Sequence, residues 1–208
     1  MQHFLKIFFS LLYNQFAWAY DIVSAIVSIN QWKDWVLSVI HYIPTNSNGT
    51  ILELGYGPAH LMVALMQKGF RVFGIDSSEN MAILAKKRLL KANLNPLLCK
   101  GIAQRLPFAS GSFDYVVATF PTRFIYDEGT LSEVRRVLNT NGQLIIALQA
   151  LFLGLNWLDK IATWLFNITK QASPWNPNML EPFHRAGFKV KVFHHVLERS
   201  TVTIILAQ

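Results

Sequence analysis

The chain has 208 residues, 52% of apolar type and 15% charged, with 11 glycines and 8 prolines; disorder, collagen-like repeats and charged coiled coil are excluded, and one large domain is expected. A lone cysteine, Cys99, leaves no internal disulfide framework and no cysteine-rich zinc site. The net charge of +7 divides into zero over residues 1–50, +4 over 51–150 and +3 over the remainder, so no segment is a basic tail, and the densest group, Lys86, Lys87, Arg88 and Lys91, reads as the solvated face of one helix rather than a nucleic-acid footprint.

Residues 1–29 are mostly apolar and aromatic, with Lys6 and Asp21 as their only charges. The longest uncharged stretch, Ile7 to Tyr20, falls short of the roughly 20 apolar residues of a spanning helix, and Ser10, Asn14 and Gln15 interrupt it. Asn14-Gln15 would also break the core of a signal peptide drawn with Ala17-Trp18-Ala19 as its cleavage box. The expectation is therefore a cytoplasmic protein. Its N-terminal helical segment packs on the rest of the chain or lies peripherally at the inner face of a membrane.

From residue 50 the pattern alternates short apolar runs with helical stretches, as in a parallel sheet with crossover helices. Ile51 to Leu54 is the first strand, followed by the loop Gly55-Tyr56-Gly57-Pro58-Ala59 and a helix from His60 to Lys68 that Gly69 ends. Arg71 to Ile75 is the second strand, and a helix from about Ser78 to Lys91 is capped by Ser77 or Ser78. Leu97 to Lys100 and Phe113 to Ala118 make the third and fourth strands. A helix from Glu128 to Leu138 stops by Asn141-Gly142, and Gln143 to Gln149 is the fifth strand.

A helix over 153–169 places Trp157, Leu158, Ile161, Trp164, Leu165 and Ile168 on one face, and a short helix from Met179 to Ala186 closes at Gly187. Lys189 to Leu197 and Thr201 to Ala207 then form an antiparallel hairpin.

A strand that ends in Gly-x-Gly and runs straight into a helix brings backbone close to an electronegative ligand group. His60 stands where a dinucleotide fingerprint wants its third glycine, and the Gly-Lys-Ser/Thr of a phosphate loop is absent. Two acids sharpen the reading. Asp76, 21 residues after Gly55 at the end of the second strand, is placed to accept from ribose hydroxyls. Glu53 beside the loop would repel a pyrophosphate but suits a ligand carrying an ammonium and a sulfonium, as S-adenosylmethionine does.

In this light the chain resembles the class I S-adenosylmethionine-dependent methyltransferases, in particular the small single-domain kind similar to ubiquinone and menaquinone methyltransferases. The resemblance covers about residues 13–149 and rests on ordered pieces: 13–21, Glu53 to Ala59, Gly74-Ile75-Asp76-Ser77-Ser78, 101–108 and Phe113-Asp114. It implies an α/β, Rossmann-like three-layer sandwich whose seven-stranded, mostly parallel sheet ends in an antiparallel hairpin, with N-terminal helices added. Residues 1–48 would be a helical lid, 49–149 the cofactor-binding core, and 150–208 the substrate-side helices and hairpin.

For S-adenosyl-L-methionine as cofactor, the resemblance implies contacts from Tyr20, Glu53, Gly55, Tyr56, Gly57, Asp76, Ser77, Met81, Ala103, Gln104 and Thr119. Gly55 and Gly57 would let the backbone approach the methionine part, and Asp76 would hold the ribose. Ser77 or Met81 would flank the adenine, with Ala103 and Gln104 at its polar edge. Tyr20 would close over the cofactor, and Ala118-Thr119-Phe120 would line the methyl-transfer channel. Ala59 replaces the third loop glycine, and Ile102 stands where many members have an aspartate for the adenine amino group.

No metal is implied, and none of the six histidines stands in a motif that assigns it a catalytic role. After the fourth strand, Thr119-Phe120-Pro121-Thr122 lacks the amide or carboxylate that amino-methylation of a base uses, and Cys99 inside an apolar strand is a poor thiolate nucleophile. Nucleic acid is thus disfavoured as a partner. A small or lipid-like acceptor fits the apolar N-terminal segment and the tryptophans at 157 and 164. A module that binds the cofactor without transferring methyl is the alternative, and a nicotinamide oxidoreductase is disfavoured by Glu53 and the missing glycine.

Overall fold

The computed structural model describes residues 20–44, 49–154 and 176–208. Helix α1 (Tyr20–Val27) and helix α2 (Trp32–Leu37), the latter continued by a 3-10 turn over Ser38–Tyr42, precede the sheet. Strand β1 (Thr50–Leu54), helix α3 (His60–Gln67), strand β2 (Arg71–Asp76), helix α4 (Glu79–Lys91), β3 (Leu98–Lys100) and β4 (Phe113–Thr119) follow in the expected alternation. Helix α5 (Glu128–Val137), β5 (Leu138–Phe152), helix α6 (Glu181–Arg185), β6 (Val190–Val196) and β7 (Ser200–Ala207) complete the described part.

The seven strands lie in the order β3-β2-β1-β4-β5-β7-β6. The first five in this order pair in parallel, and β7 pairs antiparallel to both β5 and β6. In β1, Ile51 to Leu54 are buried on both faces, which is why the strand reads as a continuous apolar run broken only by Glu53. One face of the sheet packs on α2, α3 and α4 through Trp35, Val36, Leu61, Met62, Leu65, Ala85 and Leu89. The other packs on α5 and α6 through Leu131, Val134, Val137 and Phe183. These are the expected three layers.

Three element boundaries differ from the sequence reading. The residues from Leu138 to Gly142, expected to end a helix and its loop, already belong to β5, because Leu138 is buried and pairs with Phe113. Asn141-Gly142 marks an irregularity inside the strand: a Cβ on Gly142 would lie 2.9 Å from the Leu138 side chain and 3.1 Å from the backbone of Asn139. β5 also runs on to Phe152, where its partner is Ser200.

The helix expected over 179–186 is a 3-10 turn (Pro177–Leu180) followed by α6, since Pro182 has no N–H to donate to residue 178. The helix expected over 153–169, with Trp157 and Trp164, lies outside the described residues from 155 onward. Among the described residues no helix is long and apolar enough to cross a membrane.

Candidate active site

In an open sheet of this order the strand direction of connection reverses between β1 and β4, and the crevice at their C-terminal ends is where ligands bind. The loop after β1 occupies that crevice. Gly55 (φ +71°) and Gly57 (φ +49°) take the left-handed backbone that glycine adopts without strain, and Ala59 is held there too, at φ +63°. Ala59 is fully buried, so a methyl group is accommodated in place of the third glycine. The Gly55 amide donates to the Ile75 carbonyl at 2.7 Å, tying the loop to the end of β2.

Asp76 fixes the same loop from its side chain. Its carboxylate accepts from the Gly57 amide and from the Ser78 amide, both at 2.9 Å. Ser78, not Ser77, caps α4 by accepting from the Met81 amide at 3.3 Å. Through these two bonds Asp76 anchors the loop after β1 and the start of α4 together.

Glu53 lies beneath the loop, 2% exposed, and accepts from the backbone amide of Met62 in the first turn of α3. Its Oε2 atom is buried without a hydrogen-bond partner. Burial, reinforced by the neighbouring negative charge of Asp76, pushes the Glu53 carboxyl well above its usual range. The helix N-terminus that binds a pyrophosphate in other folds is here already served by a buried acid. The unpartnered Glu53 oxygen and the Asp76 carboxylate at the foot of the loop suit a cationic ligand group, and S-adenosylmethionine carries two positive groups.

The Tyr56 side chain turns away from the crevice into the core. It is 3% exposed, and its ring occupies the space over Gly74, where a Cβ would lie 2.6 Å from Cδ1 of Tyr56 and 2.8 Å from Sδ of Met62. This explains Gly74, and it leaves Tyr56 to act through its backbone, whose carbonyl accepts from the Ala59 amide at 2.8 Å. The Tyr56 hydroxyl is raised by burial and by Asp76.

At the end of β2, Ser77 is exposed and Met81 fully buried. Ala103 is 8% exposed, Gln104 exposed, and Ile102 lies 55% open to solvent at the position of the missing aspartate. The stretch that carries them is clamped to α5. Glu133 accepts from the Leu106 amide at 2.7 Å, while Arg136 donates to the carbonyls of Phe108 at 2.7 Å and Leu106 at 3.0 Å. Asp114 accepts from the Thr50 amide at 2.7 Å and from the Asn139 side chain at 2.6 Å, which ties the entry of β4 to β1 and β5.

Thr119 ends β4, and the wall beyond it joins Phe120, expected to line the channel, to Trp32, Trp35, Phe152 and Phe124, which the sequence reading did not assign. Phe120 has a left-handed backbone (φ +48°), and its amide donates to Ala147 at 2.7 Å. Its ring sits 5.0 Å from Trp32 and 6.2 Å from Trp35, and Trp35 lies 5.3 Å from Phe152. Trp35 is pinned by donating to Oγ of Ser200 at 2.7 Å, and that hydroxyl donates to Oε1 of Gln31 at 2.7 Å. Phe124 reaches over the glycine loop, with its Cζ 3.9 Å from where a Gly55 Cβ would stand. The pair of tryptophans at i and i+3 before the first strand was the available signal for this wall.

Tyr20 begins α1, and nothing further is described of its side chain. Of the histidines, His60 is bound to Asp21 at 2.9 Å, and His41 stacks on His195 at 4.9 Å. Cys99 is half-buried and packs against the edge of the core. Among the described residues no cluster of metal-ligating side chains occurs.

Residues 52–146 match the family model of a methyltransferase domain. That match runs from β1 into β5 and takes in the glycine loop and Asp76. Demethylmenaquinone methyltransferase of Bacillus velezensis is 30% identical over 131 residues, which are 61% of this chain and 56% of that protein. The chain thus aligns with little more than half the length of that relative. A solved protein of Pyrococcus horikoshii superposes with a TM-score of 0.63 at 20% identity, covering 95% of this chain and 96% of the other. The chain shares its fold with phosphoethanolamine N-methyltransferase 2 of Haemonchus contortus, solved with S-adenosylhomocysteine and phosphomonomethylethanolamine, at a TM-score of 0.61 and 18% identity over 86% of this chain and 52% of that one.

Proposed function

We propose that this chain transfers a methyl group from S-adenosylmethionine to a small apolar or lipid-like acceptor of quinone-like chemistry. The observation that carries the reading is Glu53: a buried acid occupies the first-turn amide of the loop helix, with one oxygen unpartnered and Asp76 close enough to raise it further. A phosphate there would meet the negative charge of Asp76 and leave Glu53 neutral, whereas a cation would be met by both carboxylates once Glu53 gives up its proton, so the arrangement favours a cationic cofactor. The name of the Bacillus velezensis relative, demethylmenaquinone methyltransferase, supports a quinone-like acceptor, and the aromatic wall of Trp32, Phe120 and Phe152 supports an apolar one.

When bound, S-adenosylmethionine supplies a methyl group on a sulfonium, which an acceptor nucleophile takes by in-line displacement. This chain contributes position and exclusion of water. Asp76 would accept from the ribose hydroxyls, with Ser77 and the backbone at Ala103 and Gln104 bordering the adenine. The Gly55 to Gly57 backbone and Glu53 would hold the methionine end, with Tyr20 closing over it. Phe124 and Phe120 would shield the channel beside Thr119. Residues 1–48 act as lid and 150–208 as acceptor side in this reading.

Contact with a membrane surface through the N-terminal segment accompanies a lipid-like acceptor, and Ile26 (72% exposed) and Val27 on α1 support it. The test is incubation of the protein with methyl-labelled S-adenosylmethionine and demethylated quinones in vesicles. Label in the quinone and stoichiometric release of S-adenosylhomocysteine support the proposal. Binding without release from any acceptor in a whole lipid extract would favour the cofactor-binding, inactive alternative. Removing residues 1–12 should release the protein from the vesicles, and unchanged retention would contradict the membrane contact.

A further inference from the structure

Helix α1 is joined to α3 and α4 at one carboxylate. Asp21, the residue after Tyr20, accepts on Oδ1 from Nε2 of His60 at 2.9 Å and on Oδ2 from the Arg88 guanidinium. His60 opens α3 directly after the glycine loop, and Arg88 lies in the last turn of α4. The other terminal nitrogen of Arg88 donates to the carbonyl of Pro58, inside the loop itself. One side chain of the N-terminal helix is thereby linked to the loop, to the helix that follows it and to the helix that follows Asp76.

The charges agree with this geometry. The His60 hydrogen bond and the Arg88 charge hold the Asp21 carboxyl below its usual range, against a smaller opposing effect of burial. Elsewhere α1 turns apolar side chains to solvent: Ile26 is 72% exposed and Val27 39%. Apolar packing of that end therefore does little to seat the helix, and the polar joint at Asp21 carries a correspondingly larger share. His60 also gains an explanation. At the position of the third glycine in a dinucleotide fingerprint, this chain has a side chain that reaches outward to the lid.

We propose that Asp21 is a positioning residue that locks α1 onto the glycine loop through His60 and Arg88, so that seating of the lid and ordering of the loop for the cofactor are one event. The inference rests on the functional reading above for the identity of the cofactor but not for the lock itself. A protein whose binding-competent state is only fractionally populated shows an affinity reduced by that fraction, and a partly exposed pair of this kind shifts such an equilibrium by a modest factor. The expected loss on breaking the lock is about three- to tenfold in apparent affinity.

The experiment compares wild type, Asp21→Ala and Asp21→Glu in two ways. Amide hydrogen exchange of residues 22–27 in the ligand-free protein reads the lock without any cofactor. Exchange should accelerate several-fold in Asp21→Ala and return toward wild type in Asp21→Glu, which keeps the charge on one more methylene. Calorimetric titration with S-adenosylhomocysteine should then show the three- to tenfold loss in Asp21→Ala with partial recovery in Asp21→Glu. In turnover, KM for S-adenosylmethionine should rise while kcat is held.

Unchanged exchange in Asp21→Ala would overturn the proposal, as would accelerated exchange with undiminished affinity, or a glutamate that behaves like alanine in both assays. Failure of the wild-type protein to bind S-adenosylhomocysteine would count against the functional reading instead, and the exchange comparison would still decide the lock.

Discussion

Replacing Glu53 by Gln removes a buried carboxyl of the site that lacks full hydrogen bonding. The sign of its effect on stability follows from its raised position in the folded protein. Between the ordinary carboxylate range and the folded value, the unfolded chain has lost the Glu53 proton while the folded chain keeps it, so stability falls as pH rises through that window. The slope for one such group is about 1.4 kcal/mol per pH unit, which is the free energy of one unit of pKa difference. Below the window the contribution is fully present, and above the folded value the loss is complete.

Glu53→Gln deletes this slope. Its amide oxygen can still accept from the Met62 amide, but its amide nitrogen is left buried, at a fixed cost of about 1–3 kcal/mol. That cost is independent of pH, so the diagnostic is the difference in slope and not the difference in stability at one pH. Urea denaturation of both proteins at half-unit steps from pH 4.5 upward gives it directly. Wild type should lose stability relative to Glu53→Gln with rising pH, and parallel curves would refute the account of a neutral buried acid. The same reasoning predicts that a cationic ligand releases a proton from Glu53. The enthalpy of S-adenosylmethionine binding should then depend on buffer ionisation in wild type and lose that part of the dependence in Glu53→Gln.

Gly74→Ala places a Cβ 2.6 Å from the Tyr56 ring and 2.8 Å from Met62, and should cost about 1–3 kcal/mol in chemical denaturation; wild-type stability would mean that the loop is looser than described. Ser200→Ala strands the indole N–H of Trp35 and removes the donor to Gln31, so it should cost about 1–3 kcal/mol and increase the fluorescence response of the tryptophans to quencher. Phe124→Ala uncovers Gly55 without touching the Asp76 contacts; it should lower kcat by tenfold or more while cofactor affinity stays within about threefold, and loss confined to cofactor affinity would place Phe124 in the wrong role.

The parallel core was legible because its elements repeat one local rule: a buried apolar run, a glycine turn and a capped helix. Ser78 and the end of α4 could be read nearly to the residue for that reason. The 138–142 segment was not, because Asn-Gly signals a turn from local chemistry, while the pairing of Leu138 with Phe113 is a tertiary fact that overrides it. That Gly55, Gly57 and Asp76 meet at one loop was legible from spacing. Tyr56 was not assignable, since whether a loop side chain faces the ligand or the core depends on the void over Gly74. Phe120 was placed on the channel and the Trp32–Trp35 spacing marked an aromatic face, but the packing of that face on Phe120, the reach of Phe124 and the Asp21 joint arise from contacts between residues far apart in the chain.

The central claim, that this crevice is built for S-adenosylmethionine, is tested most directly by calorimetric titration with S-adenosylmethionine and S-adenosylhomocysteine, using NAD and Asp76→Ala as controls and circular dichroism to show that the variant is folded. The account predicts micromolar binding of both sulfur ligands, no binding of NAD, and a loss of roughly tenfold or more in Asp76→Ala, since a hydrogen bond to a charged group contributes about 1.5–3 kcal/mol. Binding of NAD, or sulfur-ligand affinity that survives intact in Asp76→Ala, would contradict it.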